Sequence, residues 1–271
     1  MPFLAEVARK RRGAALAEGF PFSVPAVRSL EPLDLRSQVT FFVGENGSGK
    51  STLLEGIAAA AGLPTVGSQD LSDDVTLGAQ RQLAAALKLS WTTRTSRGFF
   101  LRAEDFFGST KRLARERAEL QQRLAELEEE YRAQDRSAYA LGLAQGPLRS
   151  SLGEMERRYG VDLDANSHGQ SFLRLFQSRF VSGGLYLLDE PEAPLSPQSQ
   201  LALLAMLIEM TRDDAQFVIA THSPILLAVP GARIYSFDSA PVAAVEYEAL
   251  DHVRLTRDFL NDPARYLRHL A

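Results

Sequence analysis

The chain has 271 residues, 45% of them apolar and 24% charged, with a formal net charge of −4 and no cysteine. That is length enough for one large domain or two small ones with a proper core, and the composition is that of a globular protein. Disulfides and thiolate metal sites are excluded, in keeping with a reducing cytoplasm, and the net charge offers nucleic acid or an acidic membrane no general attraction.

The opening stretch MPFLAEVARKRRGAALAEGF carries basic side chains with no apolar run behind them, so it does not read as a signal peptide. Its Lys10–Arg11–Arg12 cluster reads as solvated surface. VTFFV (39–43) is a short apolar run rich in β-formers and closed by Gly44, the pattern of a buried strand. From Ser51 the sequence STLLEGIAAAAGLP turns helical, with Leu53, Leu54, Ile57, Ala58 and Ala61 on one face and Gly62 and Pro64 as stop signals. Residues 111–136 crowd charges of both signs around Leu113, Leu120, Leu124, Leu127 and Tyr131. Arg117 interrupts the heptad seam, which favours an amphipathic helix packed within the same subunit over a long coiled coil. The charges balance, so this is no nucleic-acid arm.

Apolar runs at 185–188 and 217–220 read as further buried strands, with a helix-like stretch at 198–210 between them. Strand, helix, strand in that order implies parallel pairing and a sheet covered on both faces. The longest apolar segment, 201–208, is eight residues, against the roughly 20 that span a bilayer, so no membrane crossing is expected. Residues 243–247 read as a strand, and HVRLTRDFLNDPARYLRHL as one or two short helices broken at Asp262–Pro263.

Chemistry concentrates in four places. GENGSGKS (44–51) meets the pattern G-x-x-x-x-G-K-[ST] between a predicted strand and a predicted helix. Gly44, Gly47 and Gly49 let the backbone wrap a phosphate, and the N–H groups of the whole stretch, with Glu45, Asn46, Ser48 and Thr52, point at the anion. Lys50 reaches the β- and γ-phosphates, and Ser51 ligates Mg²⁺. In LYLLDEP (185–191) a strand ends in two carboxylates. Alone these would be solvated turn residues. Downstream of a phosphate loop, Asp189 becomes a member of the Mg²⁺ shell and Glu190 the base or positioner of an attacking water. In IATHSP (219–224) His222 stands at the same kind of strand end, within reach of the γ-phosphate or the water. His252 and His269 stand without a constellation around them, and no two histidines have metal-ligand spacing. NSHGQSF (166–172) reads two ways: a helix start capped by Ser167, with Phe172, Leu175, Phe176 and Phe180 on one apolar face, or a second set of N–H groups aimed at a phosphate.

Together these motifs resemble the ABC-type ATPases, specifically the members related to chromosome-maintenance and double-strand-break-repair ATPases. They stand in that family's order: GENGSGKST, then NSHGQ, then LYLLDE, then His222. The chain is similar too, in GFFLRAEDFF and TRDFLNDPARYL, to compact bacterial ATPases of the AAA class. NSHGQ is similar to the signature LSGGQ, with Asn166 for the leucine, His168 for the first glycine, and Ser167, Gly169 and Gln170 in place. The resemblance implies that the signature binds the γ-phosphate held by a second subunit, so that two chains sandwich two ATPs. By position Glu104 takes the role of the Q-loop residue near Mg²⁺ and the water, Ser196 lies where the following loop crosses the dimer axis, and Phe20 and Phe22 are the candidates to stack on adenine.

The expected architecture is a P-loop α/β domain with an added N-terminal β portion. Residues 1–103 and 180–271 form the nucleotide-binding core, and 104–179 a helical subdomain carrying the signature loop. The expected function is hydrolysis of ATP with Mg²⁺ in the cytoplasm by a homodimer closed around nucleotide. Lys50, Glu190 and His222 carry the catalysis, and Ser167 helps to stabilise charge. The rivals are a slow ATP-dependent clamp on nucleic acid or another partner, and the nucleotide-binding subunit of a transporter.

Overall fold

Alternation along buried strands sends successive side chains to opposite faces, and this divides the core in two. In the computed structural model, which describes residues 2–10, 19–66, 76–159 and 168–268, the strands are β1 (Leu4–Arg9), β2 (Leu33–Asp34), β3 (Val39–Val43), β4 (Thr65–Val66), β5 (Leu87–Trp91), β6 (Gly98–Arg102), β7 (Leu185–Asp189), β8 (Gln216–Ala220), β9 (Arg233–Ser236) and β10 (Ala243–Val245). The helices are α1 (Pro25–Arg28), α2 (Lys50–Ala61), α3 (Thr76–Ala86), α4 (Ala103–Ala133), α5 (Ala138–Tyr159), α6 (His168–Arg179), α7 (Pro197–Arg212), α8 (Asp251–Asn261) and α9 (Pro263–Leu267).

The main sheet runs β10-β9-β3-β8-β7-β6-β4, parallel throughout except for β10, which pairs antiparallel with β9 at the edge. Val39, Phe41 and Val43 of β3, Tyr186 and Leu188 of β7, and Phe217 and Ile219 of β8 face one way, against α6 (Phe172, Phe176) and α7 (Leu203, Leu207). Phe42, Leu185, Leu187, Val218 and Ala220 face the other, against α2 (Leu53, Leu54, Ile57) and Leu83 of α3. The expected doubly covered parallel sheet is present.

The N-terminal β portion is a separate antiparallel sheet, β2-β1-β5. Gln216, with no exposed surface, joins it to the main sheet. Its Oε1 accepts from the N–H groups of Phe3 and Leu4, both at 2.8 Å, while its Nε2 donates to Leu4 O (2.9 Å) and Leu35 O (2.7 Å). A buried polar side chain at the first position of a central strand is tolerable because both its ends are satisfied.

The charged stretch becomes α4, which starts at Ala103, well ahead of the charges, and folds back through residues 134–137 onto α5. It is an amphipathic helix packed within its own chain, as the interrupted heptad suggested. Among the described side chains of 114–155 Gln145 alone is buried, and it donates to Glu128 within the same hairpin (3.0 Å). At the other end, Asp262 accepts from the N–H of Arg265 and so caps α9, placing the break where Asp262–Pro263 predicted it. Ser167 lies outside the described residues, so the cap expected there is not part of the described structure. The helix after it buries Phe172 and Phe176 and half-buries Leu175 and Phe180, as the apolar spacing required.

Candidate functional site at the carboxyl edge of the sheet

Four neighbouring parallel strands end level with one another. Register pairs Phe42 of β3 with Ala220 of β8, Ala220 with Asp189 of β7, and Asp189 with Arg102 of β6. Strands lie about 4.8 Å apart, so the segments leaving these four residues are gathered on one edge. They carry the glycine loop, His222, Glu190 and Glu104. Ligands of open α/β sheets collect at such an edge.

The loop after β3 turns back through Gly44 (φ 143°), Gly47 and Gly49 (φ 102°) into α2. Space as well as dihedral angle demands glycine at two of these. A Cβ on Gly49 would lie 2.5 Å from Val24 Cγ1, and one on Gly44 would lie 3.0 Å from Asp238 Oδ1. Gly49 offers no side-chain cap to α2, whose first-turn N–H groups therefore remain available to an anion. Lys50 is 4% exposed, and its Nζ donates to Gly44 O (2.6 Å) and Glu45 O (3.0 Å), arching over the loop. Burial pushes its pKa down, while Glu190, Asp189, Asp238 and Glu192 pull it back up. Asp238 Oδ1 also accepts from the N–H of Glu45 at 2.7 Å, holding the start of the loop.

Ser51 Oγ donates to Asp189 Oδ1 at 2.9 Å, and Arg102 Nε lies 3.4 Å from Asp189 Oδ2. Asp189 is buried, and desolvation raises its pKa against the opposing pull of Ser51 and Arg102. Arg102 also pairs with Glu55 of α2, whose other oxygen accepts from Gln80 Nε2 (2.7 Å). Glu190 leaves β7 with φ 49°, an unfavourable conformation for a residue with a Cβ, and its N–H donates to Ala220 O at 2.9 Å. That turn brings Glu190 Oε1 within 3.7 Å of His222 Nε2. Burial and then the charge of Lys50 lower the pKa of His222, with Glu190 foremost among the acids opposing them.

A cavity of about 330 Å³ opens onto Ser51, Arg102, Glu104, Asp189 and Glu190. Glu104 thus lines the same cavity as Ser51, Asp189 and Glu190. One alcohol oxygen and one buried carboxylate 2.9 Å apart suit a hard cation. Among the described residues no three metal-ligating side chains cluster, so phosphate oxygens and water would have to complete the shell, as they do for Mg²⁺. The donor set fits. A second cavity of about 250 Å³ meets Ser51, Thr52 and the exposed ring of Phe20. Phe22 packs instead against the core.

Of the stretch 166–172, His168, Gly169 and Gln170 begin α6, and the side chains of His168 and Gln170 lie outside the described set, with Asn166 and Ser167. A Cβ on Gly169 would stand 3.0 Å from Pro194 O, so α6 starts hard against the segment after Glu190.

Three residues of the site went unremarked in the sequence: Arg102, Glu192 and Asp238. Glu192 Oε1 accepts from the backbone N–H of His222 at 2.7 Å. An acid two places after Glu190 was a readable signal for it, and an arginine ending the β6 run was one for Arg102. Nothing local marks Asp238. His252, which looked isolated, lies near enough to His222 and Asp238 for their charges to act on it; burial is the main cause of its lowered pKa. Chain order hid this, because α8 returns to the site from thirty residues downstream of His222.

Two family models match the chain. One is described as "AAA domain" and takes in residues 22–136, and the other as "AAA domain, putative AbiEii toxin, Type IV TA system", residues 117–228. Between them they contain the glycine loop, both strand-end acids and His222. Together the two matches run from residue 22 to residue 228, so the chain is similar to AAA domains over most of its length. The chain is 26% identical over 246 residues to the ribose import ATP-binding proteins RbsA 2 of Burkholderia cenocepacia (strain HI2424) and Burkholderia orbicola (strain AU 1054). The match covers 87% of this chain and 44% of each relative, so the chain spans less than half the length of these curated relatives. Among solved structures it is similar to the Smc head domain with an extended coiled coil, bound to the C-terminal domain of ScpA, from Pyrococcus furiosus (TM-score 0.44, 11% identity, covering 96% of this chain and 100% of that one). It is also similar to a nucleotide-free ATP-binding cassette from an ABC transporter (TM-score 0.40, 14% identity, 97% of each chain). Among the described residues no helix is long and apolar enough to cross a membrane.

Proposed function

We propose that this protein hydrolyses ATP with Mg²⁺ between two copies of itself in the cytoplasm. The reading is carried by one observation: the Ser51–Asp189 hydrogen bond (2.9 Å) and the Glu190–His222 approach (3.7 Å) stand side by side at the ends of adjacent strands. Residues 44–52 cradle the triphosphate through backbone N–H groups, with Lys50 Nζ leaving its loop carbonyls for the β- and γ-oxygens. Adenine lies toward Phe20. Ser51 and Asp189 hold the cation and Glu104 lies beside it; when bound, the cation supplies positive charge against the phosphate oxygens.

Glu190 accepts the proton of the attacking water or fixes the water's direction. His222, kept neutral at pH 7 by burial and by Lys50, gives one ring N–H to the γ-phosphoryl oxygens as their charge grows. Ser167, Gly169 and Gln170 cap that phosphoryl group from the second copy. Charge-assisted hydrogen bonds then join the copies through ATP and are lost once the γ-phosphate leaves. Residues 1–103 and 180–271 act as the nucleotide-binding body, with 104–179 as the helical subdomain.

Glu190→Gln is expected to trap the ATP-bound pair, seen as a doubling of mass by light scattering with ATP and Mg²⁺ but not with ADP. A variant that stays monomeric would remove the sandwich from the reading. Phosphate release measured against Lys50→Ala tests turnover separately; a wild type no faster than that variant would leave a binding switch.

A further inference from the structure

The hydrolytic pair Glu190–His222 is built from two strands, but the ladder between them stops short of the histidine. Thr221 still donates its N–H to Phe42 O (3.1 Å), and Glu190 to Ala220 O (2.9 Å). Beyond that the backbone leaves the sheet, and the N–H of His222 is bonded to a side chain, Glu192 Oε1, at 2.7 Å. The next residue is held in the same manner: Ser223 Oγ donates to Gln200 Oε1 at 2.6 Å, while Gln200 Nε2 donates to Leu195 O at 3.1 Å. Both ties come from the one stretch, 192–200.

That stretch is itself fixed to Glu190. Ala193 donates its N–H to Glu190 O (3.0 Å) and Leu195 to Glu192 O (2.8 Å), two successive tight turns behind the buried ring of Pro191. Glu192 is therefore carried rigidly with the catalytic acid while gripping the catalytic histidine's backbone. Its carboxyl is sunk in the protein, and burial raises its pKa against the hydrogen bonds from Thr221 and His222. An acid so placed is engaged inward rather than serving as a surface charge. What it touches is the histidine loop.

We propose that Glu192 is a positioning residue for hydrolysis: it sets the distance between Glu190 and His222 by holding the His222 N–H, with Gln200 as the second tie at Ser223. This rests on the hydrolytic reading above. It assigns Glu192 no contact with nucleotide or water. The side chain works through the backbone, so only an acceptor oxygen of the right reach is required, not a charge.

The test uses the full chain and ATP with Mg²⁺. Glu192→Ala removes the acceptor, and Glu192→Gln keeps an amide oxygen at the same reach. Misplacing a catalytic group by about 1 Å costs on the order of a hundredfold, so Glu192→Ala should lower kcat by about ten- to a hundredfold. KM for ATP should stay within about threefold, because the glycine loop is untouched. Glu192→Gln should restore kcat to within about fivefold of wild type. In nucleotide-free protein, hydrogen exchange of the His222 amide should quicken about tenfold or more in Glu192→Ala, but not in Glu192→Gln. Equal loss in the two variants, a KM that rises as much as kcat falls, or unchanged exchange would overturn the proposal. Should Glu192→Ala fail to fold, Glu192→Asp, one methylene too short, carries the same expectations. The exchange arm needs no turnover, so it decides the positioning role even if wild type proves no faster than Lys50→Ala.

Discussion

At the scale of single residues, the site retains charges that the fold would be better without. Asp189 is buried with a raised pKa, desolvation being the main cause. Between its ordinary and its raised pKa the native state binds more protons than the unfolded chain, so its contribution to stability falls as pH rises through that window. Asn in its place never ionises. Asp189→Asn is therefore expected to be more stable than wild type at pH 7.5 in urea unfolding, with the gap closing as pH falls toward the ordinary carboxylate range, while phosphate release is lost. A less stable variant at pH 7.5 would mean that the bonds to Ser51 and Arg102 outweigh desolvation. Asp189 and Glu190 were legible because two acids ended an apolar run downstream of a glycine loop. Glu192 had a signal in its place two residues after Glu190, but its contact, a bond to a backbone thirty residues away in sequence, is one that no spacing rule encodes.

Among elements, the joint between the two sheets has Asp34 bonded to Tyr235 and Arg233 at one end and a single buried amide at the other. Gln216 satisfies the N–H groups of Phe3 and Leu4 at the start of the N-terminal strand and two carbonyls, three of the four bonds buried. Each buried backbone group left without a partner costs about 1–3 kcal/mol, so Gln216→Leu should lose about 3 kcal/mol or more in urea unfolding, although it adds an apolar side chain. A loss under about 1 kcal/mol would mean that water or local movement re-satisfies the strand. The same contrast governs what could be read. Strands β3, β7 and β8 are buried on both sides and announce themselves as unbroken apolar runs. β1 alternates imperfectly, and β2 and β4 are two residues each, too short for any periodicity. The helix α4 was recognised from its charged body but not from its start, where Ala103 follows β6 without a break.

Across the whole molecule, the α4–α5 hairpin packs chiefly on itself over its described length. The described side chains of 114–155 add only Gln145 to the buried set, and its hydrogen-bond partner lies on the same hairpin. Helices packed together lie about 8–10 Å apart, so a short Gly–Ser link can replace residues 116–153. The shortened chain should keep its ATP affinity, measured by titration calorimetry, and melt within about 3 °C of wild type; a collapse of either would make the hairpin part of the core. The positions of Gly49 and Gly169 bear on a different matter. At Gly169 the first turn of α6 is seated on Pro194, whose carbonyl oxygen would stand 3.0 Å from an added methyl group, and Pro194 belongs to the stretch whose side chains grip the His222 loop. Were the second copy of the proposed pair to press on α6, the load would pass through Pro194 to the stretch that holds the His222 backbone.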